Sequence, residues 1–350
     1  MAALRYCLPF AFLALVPIGA TLGGAWAFAA AVATPLGLAG LDAALGEGPA
    51  DRGPRWLRLL PRLYIPAQLA TIAWGAAVVS QPGACAVTVA GLVVSSGVTA
   101  GVFGFVAAHE MIHSRRSAER ALGLTLLGAV FYMHFRISHV NGHHRRAATT
   151  EDPSSARLGE SLYAFLGRSI AGQWREAWRF EAERLRRGGR RVRSSRNRML
   201  AYLAVEGLFA LAVGLASLRA LAFVAGSAAV AILLLESFNY VAHYGLTRRL
   251  RPDGRPEPLG PQHSWNSARR MNNAALFNMG RHSDHHRAPM RAYQQLEAPP
   301  GAAELPAGYA GAMLMAPFPP LWRRVMDPRA TRMAPGEALR SEPEPVSASR

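Results

Sequence analysis

The sequence has 350 residues, 51% of them hydrophobic, and a formal net charge of +17. The apolar residues occur in long uncharged blocks, a pattern typical of membrane spans that argues against a large soluble core. All 39 basic residues are arginine. In a chain with membrane spans, the first explanation for so much positive charge is cytoplasmic loops, ahead of nucleic-acid binding. The two cysteines, Cys7 and Cys85, have neither disulfide nor metal-site spacing.

Six membrane spans in three helical hairpins are predicted, so the fold class is an all-α integral membrane protein. The first charge-free run, 6–41, is too long for one crossing of a hydrocarbon core of about 30 Å and is long enough for two. A cleaved signal peptide over residues 1–26 is the alternative, but a second apolar block follows it too directly. The spans are expected at about 6–23, 25–43, 63–80, 85–108, 199–218 and 220–240.

The apolar segment 121–135 tests this count, because it is only 15 residues long and lies between two histidine clusters. If it crossed the bilayer, those clusters would lie on opposite membrane faces. We therefore expect a re-entrant or buried interfacial helix here.

The arginines give the spans an orientation. One side of the predicted membrane domain carries Arg5, the loop 52–62 and the basic run 184–198. The short turns on the opposite side carry a single charge, Arg219. The positive-inside rule then predicts that the arginine-rich side is cytoplasmic.

A single membrane domain is expected over residues 1–333. Its predicted histidine-rich helical cap comprises residues 109–198 and 241–333, on the cytoplasmic side. The tail, 334–350, is rich in Pro, Ser and Glu and is predicted to be disordered.

Nine of the 11 histidines lie in three clusters and at the end of the sixth predicted span. Neutral imidazole is the commonest metal ligand, and several imidazoles with open positions suit iron. Nine ligands are too many for one ion, so the pattern predicts two metals held close together. The candidate metal ligands are His109, His113, His139, His143, His144, His243, His282, His285 and His286.

Four further side chains are candidates to support these ligands: Glu110, Glu236, Asn239 and Asp284. A carboxylate inside a span is expensive, so Glu236 is a functional candidate. It lies seven residues before His243, on the same helix face, where it could accept an N–H from a ligating imidazole. A carboxylate buried between helices against Arg or Ser remains the alternative.

The first cluster alone matches H-E-x-x-H, the signature of a zinc metalloprotease with Glu110 as general base. A zinc site needs one or two further ligands, not seven more histidines. An intramembrane zinc hydrolase that uses His109, Glu110 and His113 is therefore a remote alternative.

The three histidine boxes resemble those of the integral-membrane di-iron family of fatty acid desaturases and hydroxylases. Within that family, the sequence resembles the membrane alkane hydroxylases, the alkane 1-monooxygenases. Three segments carry the closer resemblance: Asn239-Tyr-Val-Ala-His-Tyr-Gly-Leu246, His263-Ser-Trp-Asn-Ser267 and Arg281-His-Ser-Asp-His-His286. The resemblance extends over roughly residues 35–328.

The resemblance implies a non-haem site of two Fe ions bound by the nine histidines. Such a site activates O2 and inserts one oxygen atom into a terminal C–H bond. The implied partners are a rubredoxin or ferredoxin with its reductase, a hydrophobic alkyl substrate and membrane lipid. The implied location is the bacterial inner membrane, with the active site on the cytoplasmic side. An alkyl substrate predicts an apolar channel, and an arginine-rich surface would steer an acidic electron donor.

Three positions depart from the family pattern: Ser114 replaces a lysine, and Ser138 and Ala242 replace glutamates. Because all nine histidines remain, metal binding is expected to survive while rate or substrate class differs. A lipid desaturase, a hydroxylase of alkyl-aromatic or fatty acyl groups, and an inactive homologue therefore stay as alternatives. The sequence does not predict the chain length of the substrate, the regiochemistry of the reaction, the identity of the electron donor or the oligomeric state.

Overall fold

The computed structural model describes residues 2–49 and 53–333, and this part of the chain is almost entirely helical. The tail predicted to be disordered, 334–350, lies outside the described residues. The α-helices are α1 Leu8–Leu22, α2 Ala29–Leu45, α3 Leu59–Ser80, α4 Ala86–Thr99, α5 Phe105–Ile112, α6 Ser117–Ala129, α7 Phe135–Ser138, α8 His144–Arg146, α9 Leu162–Arg187, α10 Arg198–Ala216, α11 Leu218–His243, α12 Arg270–Ala275, α13 His282–Arg287, α14 Gly308–Met315 and α15 Pro319–Met333.

Shorter elements join these helices. Two are π-helices, at Ala100–Gly104 and His139–His143. The 3-10 helices lie at Ala2–Cys7, Gly24–Phe28, Arg55–Arg58, Pro261–His263 and Tyr293–Gln295. Two strands of two residues each, β1 Trp265–Asn266 and β2 Ala303–Glu304, pair in parallel, with Trp265 opposite Ala303.

Within the described residues, six helical segments are long and apolar enough to cross a membrane. They are Ala3–Leu22, Gly24–Leu45, Arg55–Ser80, Ala86–Ile112, Arg198–Ala216 and Leu218–His243. The predicted all-α fold with six spans is confirmed. The largest difference is at the third span, because the helical turn Arg55–Arg58 extends α3 toward the basic loop.

The first hairpin turns at Gly23 and Gly24, which have φ angles of 75° and 54°. This left-handed region is accessible to glycine without a steric penalty, so two consecutive residues reverse the chain between the first two spans. Apolar side chains on the outer faces of the spans are exposed, as Leu208 and Leu215 of α10 illustrate. Outward-facing leucines of this kind are suited to contact with lipid.

The short apolar segment forms α6, which is not among the six candidate spans. It packs closely against α5, since a Cβ atom at Gly123 would lie 2.9 Å from the Ala108 carbonyl oxygen. A glycine at this contact lets the two helix backbones approach, and the contact places α6 beside the first histidine box.

The long helix α9 lies between the second histidine box and the fifth span. Its N-terminus is capped by the Ser161 hydroxyl, which accepts the Ala164 N–H. Near its other end, the Glu181 carboxylate accepts hydrogen bonds from Arg184 and from both the backbone N–H and the side chain of Arg198. This pairing joins α9 to the first turn of α10.

Candidate metal centre

The first histidine box lies at the end of the fourth span. His109 is in α5, and His113 is the residue that ends that helix. Their four-residue spacing places both rings on one helix face, with ring centroids 4.7 Å apart. The two rings meet because the segment between them is regular α-helix.

The second box is a π-helix, and this changes which histidines share a face. Hydrogen bonds in a π-helix join residues five apart rather than four. Accordingly, the Nε2 atoms of His139 and His144 lie 3.0 Å apart, while His143 faces the other way. A regular α-helix would instead have placed His139 and His143, which are four residues apart, on one face.

The third box, in α13, supplies both sides of the centre. His282 and His286 share a face with His243 at the end of α11, and the three Nε2 atoms are 3.1–3.2 Å apart. His285 faces the opposite side, where its Nε2 is 3.2 Å from that of His144.

All nine predicted ligands thus come together in two adjacent groups. The five-histidine group consists of His109, His113, His139, His144 and His285, and the four-histidine group consists of His143, His243, His282 and His286. Within each group the ligand atoms lie within 4.8 Å of one another. The groups adjoin, since the ring centroids of His144 and His286 are 4.8 Å apart.

The spacing of the nitrogens fits metal coordination better than hydrogen bonding. The Nε2 atom of His144 lies 3.1, 3.0 and 3.2 Å from the Nε2 atoms of His113, His139 and His285. One imidazole nitrogen carries at most one proton, so it cannot satisfy three such contacts. Ligands about 2.1 Å from a metal ion are about 3 Å apart when the bonds are perpendicular. Each group therefore fits a metal ion at its centre.

The protonation states agree with this fit. Burial, reinforced by the neighbouring imidazoles, lowers the pKa values of six cap histidines well below the usual value. These rings are neutral at pH 7, which is the form that binds a metal. The six are His113, His139, His144, His282, His285 and His286.

One carboxylate contacts a ligand ring directly. Asp152 is buried, and its Oδ2 accepts a hydrogen bond from His143 Nδ1 at 2.8 Å. The bond directs His143 Nε2 toward the four-histidine group, and that nitrogen has no hydrogen-bond partner among the described residues. Sequence reasoning missed Asp152, although it lies close after the second box, in Thr149-Thr-Glu-Asp152.

The four side chains predicted to support the ligands make their hydrogen bonds to other groups. Glu236 accepts hydrogen bonds from Tyr132, Ser169, Gln173 and Asn239, none of them an imidazole. The alternative of a carboxylate buried between helices is thus the arrangement observed. Asp284 pairs with Arg287 and Arg291, and Glu110 accepts the Tyr293 N–H. Within the described residues, none of the four is hydrogen-bonded to a ligand ring.

The comparisons with known proteins agree with this geometry. The family model described as fatty acid desaturase matches residues 84–299. Alkane 1-monooxygenase 2 of Pseudomonas aeruginosa is 39% identical over 85% of this chain and 82% of its own length. Alkane 1-monooxygenase 1 of the same organism is 38% identical over 89% and 85%.

The chain belongs to the alkane 1-monooxygenase family. It is accordingly an oxidoreductase within the larger fatty acid desaturase family. A more distant relative is the hydroxylase component of xylene/toluene monooxygenase from Pseudomonas putida, which is 28% identical over 92% of this chain and 87% of its own length.

The two positions expected to carry glutamate, Ser138 and Ala242, have simple surroundings in the structure. The Ser138 hydroxyl bonds back to the carbonyl oxygens of His134 and Phe135, one turn earlier in its own helix. Ala242 is fully buried. Neither residue contributes a hydrogen bond to a ligand ring, so within the described part of the chain Asp152 is the carboxylate that is hydrogen-bonded to a ligand histidine.

A cavity of about 220 Å³ leads from the histidines into the span region. At one end it is lined by His109, His139 and His282, from both histidine groups. Most of the remaining wall is apolar, with Val102, Phe105, Leu234, Phe238 and Met313 among its residues. A cavity of this kind is suited to an apolar ligand next to the two histidine groups.

Proposed function

We propose that this chain is a membrane monooxygenase that inserts one atom of O2 into a terminal C–H bond of an alkyl substrate. The nine histidines would hold two iron ions, and a rubredoxin or ferredoxin with its reductase would supply two electrons. The overall change is the conversion of R–CH3, O2, two electrons and two protons into R–CH2OH and water.

One observation carries the proposal: nine imidazoles form two adjacent groups at the end of a largely apolar cavity. The donor set is entirely nitrogen, and iron accepts imidazole ligands readily. When bound, the two irons would supply the electrons that activate O2. The zinc hydrolase reading does not fit, because one zinc would leave four or more buried histidines without a role.

The residues of the chain have separable tasks in this reaction. The cavity wall binds the alkyl chain through dispersion and hydrophobic contacts, because an alkane offers no hydrogen bond. The same wall excludes bulk water from the metal centre. Asp152 keeps His143 in the tautomer whose Nε2 lone pair faces the four-histidine group.

A basic recess next to the five-histidine group supports the choice of an acidic electron carrier. Its walls include His113, Arg58, Arg62, Arg115 and Arg116, together with two glutamates. The recess has a volume of about 260 Å³. Positive charge at this position would attract an acidic protein and raise the rate of encounter.

The location follows from the same reasoning. The six spans make the chain a multi-pass membrane protein. We propose that it lies in the bacterial inner membrane with the histidines on the cytoplasmic side, because the arginine-rich loops adjoin them and positive loops stay in the cytoplasm.

The test uses the iron-loaded protein in lipid nanodiscs with rubredoxin, its reductase, NADH and 18O2. With octane as substrate, we expect 1-octanol that carries one 18O atom, detected by gas chromatography and mass spectrometry. An alkene product without label would indicate a desaturase instead. The H286A variant, which removes a ligand from the four-histidine group, is the control for product formed without an intact centre.

An alkyl-aromatic substrate is the second candidate, and it is favoured by the similarity to the xylene/toluene monooxygenase component. A competition between octane and p-cymene in the same assay distinguishes the alkane substrate from the alkyl-aromatic substrate. Preferential hydroxylation of the aromatic methyl group would replace the alkane assignment while leaving the iron chemistry intact.

A further inference from the structure

The wall of the largely apolar cavity includes a buried amide that an alkane does not explain. Asn272 lines the cavity, and only 1% of its surface is exposed to solvent. Its side-chain oxygen, Oδ1, has no hydrogen-bond partner within the described part of the chain. A buried amide oxygen without a partner costs free energy, so its presence in a substrate cavity calls for a ligand.

The orientation of the Asn272 amide is fixed by Asp42. The Nδ2 group donates to Asp42 Oδ2, and the backbone N–H groups of Met271 and Asn272 donate to Asp42 Oδ1, each at 3.0 Å. A carboxylate accepts hydrogen bonds, so the amide nitrogen must face Asp42. The oxygen is then held as a free acceptor, and rotating the amide would not relieve it.

A second polar atom in the cavity, the Thr34 hydroxyl, does not have the same significance. This hydroxyl also has no hydrogen-bond partner within residues 2–49 and 53–333. Thr34 lies eight residues before Asp42 on α2, which is about 12 Å along the helix axis. A threonine hydroxyl in a helix can rotate to bond the carbonyl one turn earlier. Thr34 therefore needs no ligand, whereas Asn272 Oδ1 does.

We propose that Asn272 is a hydroxyl-binding position, so that the cavity holds a primary alcohol in preference to the parent hydrocarbon. This inference rests on the proposed function, because the alcohol is then the product. The O–H group of a 1-alkanol donates to Asn272 Oδ1 while its alkyl chain fills the apolar wall. The product is retained in the cavity and competes with the next substrate molecule.

The test measures binding to metal-free protein in nanodiscs, by competition against tritiated 1-octanol. The competitors are 1-octanol, methyl octyl ether, which has the oxygen but no donor, and nonane. Wild type should favour the alcohol over the ether by about tenfold, the value of one hydrogen bond to a buried acceptor. Equal binding of alcohol and ether would overturn the proposal without any variant.

Two variants of matched shape assign the effect to a residue. N272L removes the acceptor, together with the N–H group donated to Asp42, and should reduce the preference for alcohol over ether to about onefold. T34V removes the other polar atom and should leave the preference unchanged. A preference lost in T34V but kept in N272L would contradict the assignment.

Inhibition of the reaction by the alcohol provides a second, kinetic test. In the iron-loaded protein, 1-octanol should inhibit octane hydroxylation, and N272L should raise the inhibition constant by about tenfold. The binding assay needs neither iron nor O2, so it can succeed if the proposed reaction fails. Hydroxylation of octane with no preference for alcohol in the binding assay would refute the inference alone.

Discussion

The two histidine groups differ in how their rings are held. In the four-histidine group, Asp152 fixes His143 through its Nδ1, and the His263 carbonyl oxygen lies 3.4 Å from Nδ1 of His243. In the five-histidine group, the Nδ1 atoms of His109 and His144 have no partner among the described residues. Among the described residues, two of the four ligands in the smaller group thus have an outer hydrogen bond, whereas the Nδ1 atoms of His282 and His286 have no partner, as in the larger group. The groups therefore differ in ligand number and in the Asp152 carboxylate that orients His143 in the smaller group.

The largest expected effect comes from removing one ligand from each group. H286A leaves three histidines and H285A leaves four, so H286A should bind about one iron per chain while H285A keeps close to two. Turnover should be abolished in both. Iron is measured by inductively coupled plasma mass spectrometry. Equal iron loss in both variants would mean that the five-histidine group has no spare ligand.

The control for this pair is H263Q. The His263 side chain pairs with Glu257 and belongs to neither group. This variant should retain two irons, so a loss of iron there would indicate general damage to the cap.

The next effect concerns Asp152. D152N keeps the size of the side chain but removes the charge that holds His143, and changes of this kind lower metal affinity by about 10- to 100-fold. A chelator titration should therefore release half of the iron at a lower chelator concentration than in wild type. E236Q is the matched control, because Glu236 contacts no ligand ring in the described structure. Equal release in the two variants would contradict the role of Asp152.

A smaller effect is expected from His134, which belongs to neither group. Burial lowers its pKa to about 4, and its ring lies between Tyr132 and Trp174. Since the unfolded pKa is about 6.5, the unfolded chain takes up the proton first as pH falls. Stability that is present above pH 6.5 is thus lost toward pH 4, by about 2 kcal/mol between pH 7 and pH 5.

Thermal unfolding of the iron-loaded protein at these two pH values measures this loss. In H134F, whose ring fits between the same aromatic neighbours, the unfolding temperature should fall less from pH 7 to pH 5. An identical fall in wild type and variant would show that His134 does not titrate in this range.

The smallest effect is predicted at Ser138. Its hydroxyl bonds only to carbonyl oxygens of its own helix, so S138A should change neither iron content nor turnover, and stability by no more than about 0.5 kcal/mol. Loss of iron in S138A would reveal a role that replaces the missing family glutamate.

The sequence predicts the spans well because their signal is physical and local. Uncharged runs bounded by arginine locate the six helices, and four-residue spacing pairs His109 with His113. The second box could not be predicted in the same way. A π-helix changes which of its histidines share a face, and the spacing of the residues does not show that a π-helix forms. Histidine count predicts two metals, but it does not divide the nine into five and four.

The supporting residues were harder to predict for a related reason. Glu236 is close to His243 along one helix face, yet its hydrogen bonds go to Tyr132, α9 and Asn239. Asp152 reaches His143 through a loop whose path depends on tertiary packing. The Asn272 oxygen in the cavity is also invisible in sequence, because its orientation depends on Asp42, 230 residues away.

The central claim is that two iron ions bind to the two histidine groups, and metal analysis of the purified protein with X-ray absorption at the iron edge tests it most directly. The account predicts two irons per chain with between four and five nitrogen ligands on average, matching five and four histidines. About one zinc per chain and no iron, or iron bound mainly by oxygen, would contradict it.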